Sequence, residues 1–188
     1  MKFKEIEKVL KLFADTVITA ARKNLKSKKK ITSGRLYNSL TSKIVPNKDS
    51  VSINFIMEDY GLFVDKGVKG ADPNALPQGA KWYGRNKAPN SPYAFGAMKS
   101  RGLRAAINRW TVQKGAFNKQ IRDKKGRFVP RKSLQFMMSR SIYLSGLEAT
   151  MFFTDPYNKA LRLFARKFFD AFIVDVDEKI IYDLNEKK

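Results

Sequence analysis

The last segment of the chain constrains the fold most. Thr154-Asp155-Pro156 sets a capping residue ahead of a proline suited to the first helical position. Tyr157, Leu161, Phe164, Phe168, Phe172, Val176 and Ile180 then recur at three- and four-residue steps. That spacing predicts a C-terminal helix over 154–184 with one apolar stripe. The phenylalanines read as core, not as a ligand box. So much aromatic surface must be covered by whatever precedes it.

The first segment offers a partner. Phe3, Ile6, Leu10, Phe13, Val17 and Ala20 or Ala21 give residues 3–25 the pattern of an amphipathic helix. Lysines decorate its other faces. Residues 26–30 form a basic exit, whose cations suit a helix C-terminus or could meet a phosphate. Thr32 or Ser33 can then cap a short helix carrying Leu36 and Leu40. A strand over 43–45, turn chemistry at 47–50, and period-two alternation over 51–55 predict a β-hairpin with one face on a core. Residues 59–67 read as a short helical turn or strand end, stopped at Gly67.

From Gly67 to Gly102 the texture changes. The window holds six of the 11 glycines and four of the seven prolines, and neither period survives in most of it. We expect a long basic arm there. Leu103, Ala106, Ile107 and Trp110 predict a helix near 97–114, and Asp123-Lys124-Lys125-Gly126 the tip of a hairpin over 117–129. A further helix spans 131–145, with Gly146 at its C′ position. The expected architecture is a single α+β domain over 1–188. A small antiparallel sheet packs against the N-terminal and C-terminal helices, with the arm at 67–102 and a helical and hairpin insertion at 103–153.

Composition narrows the chemistry. Cysteine and histidine are absent, which excludes disulfides, Cys/His zinc sites and histidine bases. No apolar run reaches the roughly 20 residues needed to span a bilayer. The charged N-terminus lacks the apolar stretch of a signal peptide, so a protein made and used in the cytoplasm is expected. Neither a phosphate-binding loop nor a nucleophile elbow is present. Acidic residues cluster at Glu58, Asp59 and Asp65, and at Asp175, Asp177, Glu178 and Asp183. The second set reads as a solvated helix end, or as a pairing surface for basic segments of a neighbouring copy. No catalytic residue, metal or cofactor is expected, and no enzyme.

The net charge is +21, with 38 basic against 17 acidic residues. Residues 66–136 carry 17 basic and 2 acidic, interleaved with Trp82, Tyr83, Tyr93, Phe117 and Phe128. Cations beside flat rings suit single-stranded nucleic acid, and cations alone suit duplex without sequence choice. Lys81, Arg85, Lys87, Arg101, Arg104 and Arg109 are the candidates for a DNA-facing or partner-facing surface. No named nucleic-acid module is recognisable, so an acidic protein partner fits the same charge.

One further pattern runs through the first third of the chain. Thr32-Ser33-Gly34-Arg35-Leu36-Tyr37-Asn38-Ser39-Leu40 follows the first helix; Tyr60 to Val64, Asp65 and Gly67 follow the hairpin; Ser91-Pro92-Tyr93-Ala94-Phe95 comes later. This order resembles the tailed-phage head-to-tail joining proteins, also known as minor tail, neck or tail-completion components. The family has a T-G-R-L-x-N-S segment and a later Val-Glu-x-Gly-Thr. Here Ser33 intervenes before Gly34, Asp65 replaces the glutamate, and Val68 stands in place of the threonine. The resemblance covers residues 1–66 best. It implies a structural virion protein of the neck or tail, assembled in the host cytoplasm. Six or twelve copies would form a ring between the portal-side connector and the tail, with the basic block facing DNA in the channel or an acidic partner, and without a membrane. Gly34, Arg35, Leu36, Asn38, Ser39, Asp65 and Gly67 are then structural. Gly34 would allow close backbone approach, Arg35 or Asn38 would hydrogen-bond a loop, and Asp65 would pair with Arg35. A non-sequence-specific nucleic-acid-binding protein is the alternative, and an adaptor for an acidic enzyme surface a third.

Overall fold

The computed structural model describes residues 3–47, 50–95, 101–113, 122 and 125–185. The elements run α1 (Lys4–Ser27), α2 (Arg35–Ser39), β1 (Thr41–Pro46), β2 (Val51–Ile56), α3 (Gly61–Lys66) and β3 (Val68–Lys69). A 3-10 turn at Pro73–Ala75 follows, then α4 (Arg101–Gln113), α5 (Arg131–Ser145), β4 (Gly146–Leu147) and α6 (Thr154–Asn185). The class is α+β, as expected. Where one domain was expected, two compact units are distinguished. The first comprises Met1–Asp59 with Phe152–Lys188, and the second Tyr60–Met151.

In the first unit α1 and α6 run antiparallel. The direction follows from three contacts: Glu5 and Ile6 meet Asp175, Phe13 meets Phe164 and Phe168, and Asn24 meets Phe152. Phe13 is the centre of the core. Its ring makes edge-on contacts with Phe55, Tyr157, Phe164 and Phe168 at 5.3–6.1 Å. Such pairs add about 0.5–1.5 kcal/mol each to simple burial. Phe55 comes from the hairpin, whose strands pair antiparallel from Thr41↔Ile56 to Pro46↔Val51. Alternation along β2 is kept: Val51, Ile53 and Phe55 are half-buried, while Ser52, Asn54 and Ile56 are exposed.

The stripe of α6 differs from the expected one. The covered positions include Tyr157, Ala160, Phe164, Phe168, Ala171 and Asp175, which step by three or four at an average of 3.6, and Val176 of the expected set is half-buried beside them. Leu161, Phe172 and Ile180 are 43%, 45% and 53% exposed. The expected set averages nearly four residues per step, so it slips round a straight helix and leaves the core side. Choosing large side chains alone also missed Ala160 and Ala171, both buried.

Asp175 is the second departure. It is 1% exposed, not part of a solvated acidic end. The N-cap of α1 is Phe3, which offers no side-chain oxygen. Asp175 supplies one from α6: the backbone N–H of Glu5 donates to Oδ1 at 2.9 Å and that of Ile6 to Oδ2 at 3.0 Å. A carboxylate on the first turn of a helix satisfies orphan donors and meets the positive end of its dipole. Asp177 and Glu178 are exposed, and the side chain of Asp183 lies outside the described residues.

The second unit contains most of the expected arm, and residues 67–95 do not form one. β3 pairs antiparallel with β4, Val68 opposite Leu147 and Lys69 opposite Gly146. On the other side of β3, Lys69 N–H donates to Tyr93 O, and Phe95 N–H donates to Lys69 O. The Asn86 side chain brackets Gly70, accepting from its N–H and donating to its carbonyl, both at 3.2 Å. Ser91 Oγ donates to Gly67 O at 2.8 Å, and Leu76 and Ala88 are buried. The prolines and glycines here make a folded loop closed by backbone and Asn/Ser hydrogen bonds, which carry no periodicity. Residues 96–100 lie outside the described set. So does most of the expected 117–129 hairpin, of which the Arg122↔Phe128 bridge is described. α5 matches its expected bounds, and Gly146 ends it with φ 87°.

Replacing Asp175 by Ala leaves two unpaired N–H groups at a part-buried helix start. The expected cost is about 1–3 kcal/mol, seen as a fall of several degrees in melting temperature. Asp177→Ala, two residues on and exposed, is expected to change stability by less than about 0.5 kcal/mol. Equal shifts for the two variants would show that the Asp175 contact does not hold α1.

Candidate functional site

The motif of residues 34–39 builds one corner of the first unit. Gly34 is the N-cap of α2 with φ +76°, a left-handed conformation costly for residues with a Cβ. Close backbone approach is not its reason, contrary to expectation: an added Cβ would meet only Asn38 Nδ2, at 3.7 Å. Leu36 is buried. Ser39 Oγ donates to Leu36 O and accepts from Glu58 N–H at 3.0 Å, tying α2 to the residue beyond β2. The Arg35 guanidinium reaches the Glu58 carboxylate at 3.5 Å, so Glu58 takes the place expected of Asp65. With Arg35 71% exposed, this pair is worth less than about 1 kcal/mol. Asn38 is exposed, and its backbone N–H closes the turn onto Gly34 O.

Arg22 completes the corner. Its Nε donates to Tyr37 O at 3.2 Å and an η nitrogen to Leu40 O at 2.9 Å, while its guanidinium lies 5.3 Å from the Tyr37 ring centre. Lys26 approaches the same ring at 5.1 Å. The planar fork of Arg22 thus serves the orphan carbonyls at the end of α2. In the sequence it is one more cation on a basic helix. Its only signal is its position, beside Ala21 and one turn before Leu25.

The other two motif residues belong to the second unit. Asp65 is 2% exposed on α3, with the Lys66 ammonium at 4.0 Å. Its carbonyl accepts from Thr150 N–H and Met151 N–H. Gly67 combines φ +73° with close packing: an added Cβ would sit 2.5 Å from Leu147 O and 2.7 Å from Ala149 N. Close approach, expected at Gly34, belongs to Gly67.

Of the basic candidates, three are brought together. Lys81 and Lys87 each place an ammonium 5.5 Å from the Trp82 ring centre, and Arg85 N–H donates to Trp82 O in the same turn. Lys81, Tyr83 and Arg85 are exposed. Arg109 stands exposed on α4, which pairs with α5 through Gln135 Nε2 donating to Asn108 Oδ1 at 2.6 Å. Arg101 and Arg104 belong to α4, but their side chains lie outside the described ones. Among the described residues no group of three or more acids is placed to hold a metal ion. The arrangement offers two things: a helix-hairpin corner fastened by Ser39, Glu58 and Arg22, and a cationic aromatic turn.

Two glycine variants separate the motif's two kinds of constraint. Gly34→Ala imposes left-handed strain alone and is expected to cost about 1–2 kcal/mol. Gly67→Ala adds overlap with backbone atoms, which cannot swing away, and is expected to cost clearly more in urea or thermal unfolding. A Gly67→Ala loss no larger than that of Gly34→Ala would show that residues 147–149 yield freely. Compared with protein-family models, curated proteins and solved structures, the chain matches none.

Proposed function

We propose that this chain is a structural subunit of a tailed-phage neck or tail-completion ring, joining the portal-side connector to the tail. One observation carries the reading: the residues that bear the family resemblance are spent on architecture. Gly34 turns the chain into α2, Leu36 fills the core, and Ser39 and Arg35 fasten Glu58. Asp65 and Gly67 are buried in the packing of the second unit.

In this reading six or twelve copies surround the tail axis in the virion, after assembly in the host cytoplasm. No helix among the described residues is long and apolar enough to cross a membrane. The basic surface would face DNA in the channel or an acidic neighbour. Like charge on adjacent copies repels unless salt or a polyanion screens it, and the Debye length is about 8 Å at physiological ionic strength.

A second reading, non-specific nucleic-acid binding, rests on the Lys81, Trp82 and Lys87 turn. An aromatic ring among cations could stack a base while the ammoniums meet phosphates.

Light scattering in high salt, followed by electron microscopy of the species found, tests the first reading. A discrete oligomer of six or twelve copies that images as a closed ring is the expected result. A monomer that binds DNA tightly, with log K falling steeply and linearly with log salt, would overturn it in favour of the second.

A further inference from the structure

Within the first unit, the C-terminal end of α6 runs on past the start of α1. α1 begins beside Asp175, where Glu5 and Ile6 donate to its carboxylate. Because the helices are antiparallel, α6 continues past that point from Val176 to Asn185. Those residues extend it by roughly 15 Å. In this stretch Ile180, Ile181, Tyr182 and Leu184 are all 53–62% exposed. On the preceding turns Phe169 and Phe172 are 64% and 45% exposed. Exposed Ile180, Ile181 and Leu184 beyond Asp175 offer an apolar face to another surface.

Charge says what kind of surface. Residues 169–185 carry five acidic side chains and one basic, a net of −4. Asp170, Asp177 and Glu178 are exposed. One neighbour already feels this field: the pKa of Lys8 is raised, first by its hydrogen bond and attraction to Glu5 and then by Asp175 and Glu178. Residues 60–151, the second unit, carry 18 basic and 4 acidic side chains, a net of +14. On this unit α4 and α5 leave Trp110, Val112, Phe136 and Met137 exposed, and Arg109, Lys132 and Arg140 are exposed on the same two helices. An acidic apolar helix end and a basic apolar helix pair are complementary, and one chain carries both.

We infer that the C-terminal end of α6 docks on the α4–α5 surface of a second copy of this chain. Such a contact is heterologous: the donor surface differs from the acceptor surface, so each copy has one of each to offer. Contacts of that kind propagate head to tail and close into rings when the rotation allows. The inference rests on the ring reading above and names the face that would build it. Net repulsion between copies acts over the whole surface and is screened by salt. Opposed charges in contact keep more of their attraction, and apolar burial is untouched by screening.

The test uses the full-length protein near physiological salt, with sedimentation for mass and circular dichroism for folding. Ile181→Asp with Leu184→Asp should leave the melting curve unchanged and weaken self-association at least tenfold. Asp177→Lys with Glu178→Lys should weaken it as well, and so should Lys132→Glu with Arg140→Glu. Combining the two charge reversals should restore association, which a nonspecific loss would not do. Rings that form equally well with all these variants overturn the α6 contact while leaving the ring reading intact. Association that depends on α6 but ends in dimers or open filaments upholds the contact and overturns the ring. A wild-type protein that is monomeric at every concentration overturns the second copy as occupant. Recovery of α6-dependent binding with an unrelated basic protein or with lipid vesicles, and not with itself, overturns it too.

Discussion

The buried carboxylate of Asp175 is the fixed point of the first unit. It joins the start of the first helix to the last helix, across a separation in sequence of about 170 residues. Two helices packed through apolar side chains alone can slide along one another at small cost. A carboxylate that must meet two particular N–H groups cannot slide without leaving them unpaired. That contact therefore fixes the register in which Phe13 falls among Tyr157, Phe164 and Phe168. With Phe13 in place, Phe55 has a ring to meet, and the hairpin acquires a buried face. The corner of α2 follows, held from α1 by Arg22 and from the end of the hairpin by Ser39.

The second unit is organised on another principle. Among its described residues Val68, Leu76, Ala88, Ile107 and Leu144 are buried, and around β3 and β4 its order comes from close backbone contact. Gly67, Gly70 and Gly146 let β3 and β4 come together where any Cβ would collide with backbone atoms. Asn86 and Ser91 close the remaining gaps by binding backbone groups directly. Such an arrangement needs polar side chains at particular places rather than an apolar period. It also leaves the unit's surface free to carry its excess of cations.

This difference explains what could be read from the sequence. Periodic apolar residues identified α1, the hairpin, α5 and α6, because a helix or strand with one buried face repeats its burial. The exact face of α6 was harder, since exposed Phe172 and Ile180 look identical in sequence to buried Phe164. Asp175 occupied a core position in plain view, four and seven residues from Ala171 and Phe168, but an acid in an acidic cluster reads as solvated. Residues 67–95 carried no period because asparagine, serine and glycine do the work there, so they read as an arm. The partner of Arg35 was misjudged for a related reason. Glu58 is brought near by the hairpin register, and the acid closest to the motif in family order is Asp65.

The distribution of charge is hard to explain for a chain that acts alone. The acidic residues of the α6 end lie beside exposed isoleucine, leucine and phenylalanine, while residues 60–151 pair 18 cations with only 4 acids and so hold +14 of the net +21. Intermixing the two signs would reduce self-repulsion and improve solubility at no cost to the core. Segregation has the opposite effect, since it strengthens the field of each region. Opposite charge on two surfaces is useful when one must find the other on a different molecule, because it favours that approach and disfavours like-to-like contact. The same segregation leaves an uncompensated basic surface once the acidic helix end is engaged. On the proposed reading that surplus serves a polyanion, so assembly and DNA contact would draw on different parts of one charge distribution.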